Sequence, residues 1–147
     1  MPLSALRLAS KRASSFTNAL RTSSARSIRT TVPRAALYAQ ADEKTFKQVI
    51  EAKGRVVLVD FYADWCGPCH QLSPVIESLT AEPHTSGSGL PLDLIKVNTD
   101  TDEGIPLAQA FKVTALPTVI AFKDGVPVSQ FKGALPPAHV KKFIESL

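Results

Sequence analysis

The chain has 147 residues, 44% hydrophobic and 20% charged, a composition typical of one globular domain with a buried core. It contains no run of about 18 or more apolar residues, so the sequence predicts no membrane-spanning helix. The net charge of +4 is uneven: residues 1–34 hold seven basic and no acidic residues, whereas residues 35–147 hold ten basic and thirteen acidic residues. A mildly acidic body argues against nucleic-acid binding as the main function.

Residues 1–34 have the composition of a targeting leader. They are rich in Ser, Thr, Ala and Arg, and Arg7, Lys11 and Arg12 interrupt any apolar core that a secretory signal would need. We expect this transit peptide to be disordered and to be cleaved between Arg26 and Arg34. The arginine density favours the mitochondrial matrix; a plastid, and a basic tail without a targeting role, remain alternatives.

The first half of the body predicts two helices around a buried strand. Asp42 can cap a helix that extends through Ile50. Residues 56–62 form a nearly continuous apolar, β-branched run, which is typical of a strand buried on both faces. Apolar residues then recur at helical spacing over residues 66–79, and we expect Pro74 to kink this helix without ending it.

The second half predicts three more strands and two more helices. Residues 84–89 predict a polar, flexible loop. Strands are predicted over residues 92–98, 117–123 and 126–131, and the last two join through Asp124-Gly125 as an antiparallel hairpin. The two helices are expected over residues 103–111 and from Pro136-Pro137 to the end. Together these elements imply an α/β domain with a mixed sheet between helical layers.

The two cysteines of the chain, Cys66 and Cys69, lie three residues apart where the buried strand ends and a helix begins. Unpaired amides and the dipole at a helix N-terminus favour an anion, so Cys66 is the predicted nucleophile. Cys69 follows at i+3 on the same helix face and is the predicted resolving thiol. Asp60, the one charged residue in an apolar strand, is the candidate for proton exchange with Cys69, although an ordinary hydrogen-bonded buried carboxylate is the alternative.

Other uses of the cysteine pair fit the sequence less well. A structural disulfide would close a very small loop and gain little chain entropy. A zinc site would need more ligands than the pair and three scattered histidines provide, so we predict no metal. Cys-x-x-Cys-His, completed by His70, is also a haem c attachment pattern, but no distal ligand is evident.

Residues 59–69, Val-Asp-Phe-Tyr-Ala-Asp-Trp-Cys-Gly-Pro-Cys, resemble the thioredoxin family, and the likeness extends over residues 36–147. It implies a thioredoxin fold, in which a mixed sheet has helices on both faces. Several positions resemble family positions: Pro74 the helix-kinking proline, Lys96 the lysine that pairs with the buried aspartate, Pro117 the cis-proline, and Gly125 the hairpin glycine. The resemblance also implies a mostly apolar substrate groove, lined by Trp65, Gly67, Pro68, Leu116, Pro117, Gly133 and Ala134.

The resemblance further implies a monomeric protein-disulfide reductase that holds no cofactor. Its partners would be an NADPH-dependent flavoprotein thioredoxin reductase and disulfide-containing clients such as peroxidases, with no membrane partner. An oxidase or isomerase of the same fold is one rival function, and a binding module that uses the groove without turnover is another. Two features depart from the family: His70 stands where Lys or Arg is frequent, and the connection over residues 82–91 is long.

Overall fold

A computed structural model describes residues 35–81 and 84–147, so the predicted leader and residues 82–83 of the long connection lie outside it. Within the described residues, five strands and four helices follow in the order β1 (Leu37–Tyr38), α1 (Glu43–Ile50), β2 (Val56–Tyr62), α2 (Gly67–Ala81), β3 (Leu92–Asn98), α3 (Gly104–Ala110), β4 (Thr118–Lys123), β5 (Val126–Lys132) and α4 (Pro137–Glu145).

The strands form one mixed sheet in the order β1-β3-β2-β4-β5. Strands β1, β3 and β2 are parallel to one another. Strand β4 runs antiparallel to β2, and β5 runs antiparallel to β4. Strand β2 lies at the centre and is buried along all but its last residue, as its apolar run predicts. The sequence did not predict β1, since two residues carry too little periodicity to mark a strand.

Helices cover both faces of the sheet, which confirms the predicted fold class. Val57, Val59 and Phe61 pack with α1 and α3, whereas Val56 and Leu58 pack with α2 and α4. Successive side chains of a strand point to opposite faces, so Asp60 belongs to the face that α2 and α4 cover. This alternation directs a carboxyl group towards the helix that carries the cysteines.

Helix α1 has the predicted cap at its start, and helix α2 has the predicted proline in its interior. The Asp42 side chain accepts a hydrogen bond from the Thr45 amide at 2.8 Å and so caps α1. Helix α2 runs through Pro74 as one element of 15 residues, so the proline does not end it. No helix in the described ranges is both long and apolar enough to cross a membrane.

The connection before β3 is held more firmly than its polar composition predicts. Ser86 is 3% exposed, and the amides of Gly87 and Ser88 donate to the main-chain oxygens of Ile144 and Leu147 at 3.2 and 2.8 Å. These bonds attach the loop to the C-terminal end of α4 and to the residue that ends the chain's described part. The flexible loop predicted over residues 84–89 is therefore wrong, because long-range hydrogen bonds from Gly87 and Ser88 fix its backbone.

We predict that Gly87→Ala destabilises the domain. A methyl group at this position would lie 1.8 Å from the Glu145 carbonyl oxygen, so the loop would have to move off α4. Overpacking of this kind costs about 1–3 kcal/mol in the free energy of unfolding, measurable by urea titration. Gly67→Ala is the matched control, since a methyl group there meets no atom within 4 Å. Equal stability of the two variants would contradict the prediction.

Candidate active site

The junction between β2 and α2 carries both cysteines. Ala63 is fully buried just after the strand, and its carbonyl accepts the Cys66 amide at 3.1 Å. Cys66 directly precedes the first residue of α2, and it forms a disulfide with Cys69 across a Cα–Cα distance of 5.3 Å. Cys66 is 4% exposed and Cys69 is 1% exposed, so Cys66 is the less enclosed of the two.

The Cys66 sulfur occupies the position of a helix cap. It accepts the backbone amide of Cys69 at 3.3 Å, and the Cys66 carbonyl accepts the His70 amide at 3.3 Å. An N-cap side chain normally satisfies an amide of the first turn in this way. When the disulfide is open, a thiolate at this position would receive that hydrogen bond together with the favourable end of the helix dipole.

The loop that precedes β4 also contacts the cysteines. The Leu116–Pro117 peptide is cis, as the family resemblance implied. Leu116 packs against the cluster of Ala63, Cys66 and Cys69, and the Pro117 carbonyl accepts the Gly133 amide at 2.8 Å. The fold thus places Leu116 against the disulfide and joins Pro117 to Gly133.

The remaining predicted groove residues are open to solvent. Trp65 is 73% exposed, and Gly67, Pro68 and Ala134 are also exposed. The Trp65 indole nitrogen donates to an Asp100 carboxylate oxygen at 2.7 Å. The disulfide therefore lies at the edge of an accessible, weakly polar surface.

Asp60 is buried beneath α2 with its charge poorly compensated. It is 1% exposed, one carboxylate oxygen has no hydrogen-bond partner, and the other accepts only the Ser73 hydroxyl at 3.5 Å. Burial raises the pKa of this carboxyl to about 6, against the opposing effects of Lys96 and Ser73. Ser73 lies one turn beyond Cys69 on α2, so the carboxyl contacts the helix turn that follows the buried sulfur.

Lys96 does not form the predicted ion pair with Asp60. The two residues are register partners on β3 and β2, but the ammonium group donates to the Glu77 carboxylate at 2.7 Å and lies 5.1 Å from the centre of the Tyr62 ring. The Glu77 side chain is 39% exposed, so this pairing leaves the lysine partly hydrated, whereas a contact with Asp60 would bury its charge. Lys96 acts on Asp60 only through space.

Several residues at this junction were not predicted to take part. His70 donates from its Nε2 to the Asp64 carbonyl at 2.8 Å, since a carbonyl can only accept. Ser73 and Asn98 contact Asp60 and Asp64, respectively. The i+4 spacing from Cys69 to Ser73 was the one available sequence signal for these contacts. In the described ranges, no group of three or more His, Cys, Asp or Glu side chains is placed to hold a metal ion.

The family model named Thioredoxin matches residues 38–146. The chain belongs to the thioredoxin family. Members of this family are oxidoreductases that act on protein disulfides, and the Cys66–Cys69 disulfide is placed for that chemistry.

Curated and solved thioredoxins support this membership. Thioredoxin Y, chloroplastic, from rice is 36% identical over 115 residues, 76% of this chain and 64% of the rice protein. The structure of a mutant thioredoxin from Halobacterium salinarum has a TM-score of 0.63 and 36% identity, and the match covers 80% of this chain and 94% of that one. Mitochondrial thioredoxin 3 from Saccharomyces cerevisiae in its oxidised form has a TM-score of 0.60 and 28% identity, and the match covers 75% and 95% of the two chains.

We predict that Asp60→Asn stabilises this thioredoxin-family domain at pH 8. Because the pKa rises from 3.8 to about 6 on folding, the ionised carboxyl costs about 3 kcal/mol in the free energy of unfolding above pH 6, and nothing below about pH 4. The free energy of unfolding of the variant should therefore exceed that of the wild type increasingly as the pH rises from 4 through 6. Urea titration of the oxidised proteins at pH 4, 6 and 8 measures it. A gain that is the same at all three pH values would show that charge burial is not its cause.

Proposed function

We propose that this chain is a protein-disulfide reductase in which Cys66 attacks the substrate and Cys69 resolves the intermediate. The observation that carries the proposal is the Cys66 sulfur at the start of α2, where it accepts a first-turn amide. Such an amide and the helix dipole stabilise a thiolate. The deeper burial of Cys69 favours its neutral thiol until the second step.

The reaction transfers two electrons from the dithiol to the client disulfide. The Cys66 thiolate attacks one client sulfur, a Cys66–client disulfide forms, and the other client sulfur leaves as a thiolate. Cys69 then loses its proton and attacks the Cys66 sulfur. The Cys66–Cys69 disulfide forms, the mixed disulfide breaks, and the second client thiolate leaves and takes a proton from the solvent.

Asp60 is proposed to accept the Cys69 proton. Its carboxyl lies beneath α2, and its pKa of about 6 lets it exchange a proton near neutral pH. One of its oxygens has no hydrogen-bond partner and is free to bind a relaying water. The alternative, a buried carboxylate with only a structural role, would leave this oxygen without a use.

The apolar groove favours a protein disulfide as the substrate, in preference to a small-molecule disulfide. Leu116 contacts the cysteine cluster just before β4, and exposed Trp65 and Pro68 lie on the α2 side. A mostly apolar surface with few polar contacts binds many partners and discriminates weakly among them. We propose that an NADPH-dependent flavoprotein reductase regenerates the dithiol and that disulfide-containing proteins such as peroxidases are clients of a monomer.

We predict that Cys66→Ser abolishes the reduction of insulin disulfides, because the attacking thiol is lost and Cys69 alone cannot form the internal disulfide that completes the reaction. Cys69→Ser should instead accumulate a covalent adduct, since the mixed disulfide then lacks its resolving thiol. NADPH consumption coupled to a thioredoxin reductase measures the first, and non-reducing electrophoresis with mass spectrometry measures the second. Adducts trapped on Cys69 in the Cys66→Ser variant, with none on Cys66 in the Cys69→Ser variant, would reverse the assigned roles.

We predict that Asp60→Asn slows insulin reduction at pH 8 by about tenfold, because the variant cannot accept the Cys69 proton. The difference should narrow as the pH falls below about 6, where Asp60 is already protonated in the wild type. Single-turnover rates from pH 5 to 8 test this pH dependence. Asp93→Asn is the control, since Asp93 is also buried in the sheet but pairs with Arg55. Parallel profiles for wild type and Asp60→Asn would remove Asp60 from proton transfer.

We further propose that residues 1–34 direct the protein to the mitochondrial matrix. Their seven basic residues, absence of acids and Ser/Thr content support this destination. Fused to a fluorescent protein in plant cells, residues 1–34 should give mitochondrial fluorescence. The same fusion with Arg7, Arg12 and Arg21 changed to Gln should remain in the cytosol. Plastid fluorescence would support the alternative destination.

A further inference from the structure

A chain of side-chain hydrogen bonds ties the loop after β2 to the loop after β3. The two strands are parallel neighbours, so their carboxyl ends meet at one edge of the sheet, and Tyr62 and Asn98 are register partners there. The Thr99 amide and hydroxyl both donate to the Tyr62 carbonyl, at 2.8 and 3.1 Å. This close approach brings the Asn98 side chain beside the segment that precedes Cys66.

Asn98 uses both ends of its amide group to connect the two loops. Its nitrogen donates to the Asp64 carboxylate at 3.1 Å, and its oxygen accepts the Asp100 backbone amide at 3.0 Å. The Asp64 carbonyl in turn accepts the His70 ring nitrogen at 2.8 Å, which links the same residue to the first turn of α2. Asn98 therefore contacts the loop on one side and fixes the backbone of Asp100 on the other.

The Asp100 carboxylate carries this connection on to Trp65. It accepts the indole nitrogen at 2.7 Å, although Trp65 is 73% exposed. Within the described residues, Trp65 makes no contact with another aromatic ring. An aromatic side chain that is mostly exposed has several accessible rotamers, so the hydrogen bond to Asp100 favours one direction of this indole.

We infer that Asn98 is a positioning residue that sets client affinity by holding Asp100 where it can orient Trp65. The inference rests on the proposed function, because it takes the exposed indole beside Cys66 as part of the client surface. A preorganised aromatic side chain binds with a smaller loss of conformational entropy than a mobile one. Among the described residues, Asn98 makes no hydrogen bond to either cysteine, and its connection to Trp65 passes through Asp100.

This role makes a prediction that separates binding from chemistry. Hydrogen bonds on an exposed surface contribute little to folding, so loss of the Asn98 side chain should leave the domain folded. The Cys66 sulfur and the Cys69 amide do not depend on Asn98, so reactivity towards a small disulfide should be unchanged. A protein client would bind less tightly, because the indole has to be ordered each time.

The full chain carries a single tryptophan, so its fluorescence reports Trp65 alone. Time-resolved anisotropy of the oxidised Asn98→Ala variant should show a larger fast component than the wild type. The KM for insulin reduction should rise roughly fivefold with kcat unchanged. The reduced variant should react with 5,5′-dithiobis(2-nitrobenzoate) at the wild-type rate. Gln109→Ala, which removes an exposed amide on α3, is the matched control and should match the wild type in all three measurements.

Two variants of Asp100 test whether the effect passes through the indole bond. Asp100→Asn keeps an oxygen acceptor for the indole nitrogen and should retain the wild-type anisotropy and KM. Asp100→Ala removes the acceptor and should reproduce Asn98→Ala. If the asparagine variant behaves like the alanine variant, the carboxylate charge and not the bond sets affinity, and the inference is wrong.

The remaining outcomes are equally decisive. Unchanged anisotropy in Asn98→Ala would show that Asn98 does not position Trp65. A mobile indole with an unchanged KM would show that its orientation does not set affinity. Equal losses towards insulin and the small disulfide would show damage to the cysteine junction instead. If the wild type itself does not reduce insulin, the proposed function fails on its own, while the anisotropy still reports whether Asn98 orders Trp65.

Discussion

The structure depends on one junction, where a strand at the centre of the sheet turns directly into a helix. Strand β2 is buried between neighbours on both sides, and α2 begins five residues after it ends. The short connection forces a sulfur atom into the position that a capping side chain normally occupies. The helix amides that a capping oxygen would satisfy are thereby directed at the reactive group. The position of β2 within the sheet thus determines the chemistry at its end.

The same junction explains the placement of a costly charge. Strand alternation turns Asp60 towards α2, and burial removes its water without supplying a close cation. An uncompensated carboxylate is unfavourable for folding, and a domain that keeps one gives up stability at a functional position. Lys96 on the neighbouring strand lowers this cost only partly, because its ammonium group binds Glu77 near the surface.

Patterns that depend on neighbouring residues in the sequence predicted most of this fold. The β-branched run of β2, the Asp42 cap and the Asp124-Gly125 turn each lie within a few residues, and the structure has an element at each position. Contacts between distant segments were predicted poorly. Family resemblance led us to expect that Lys96 pairs with Asp60. In the structure, Lys96 pairs instead with Glu77, a partly exposed residue of α2.

The site was predictable to the same extent. Cys66, Cys69 and Asp60 are distinguished by residue type and by position relative to one strand, so the sequence alone selects them. Ser73 and Asn98 are common polar residues whose roles come from the three-dimensional proximity of two loops and a helix. Composition and periodicity contain no signal for such proximity, because it is set by sheet register and helix packing.

The backbone bonds from residues 87 and 88 to the end of α4 join two parts of the chain that are far apart in sequence. Helix ends normally fray, so their amides exchange with solvent deuterium through small local openings. Here the last turn of α4 cannot open without also releasing the loop before β3. The two segments should therefore exchange as one cooperative unit, independently of local openings in the loop that carries the cysteines.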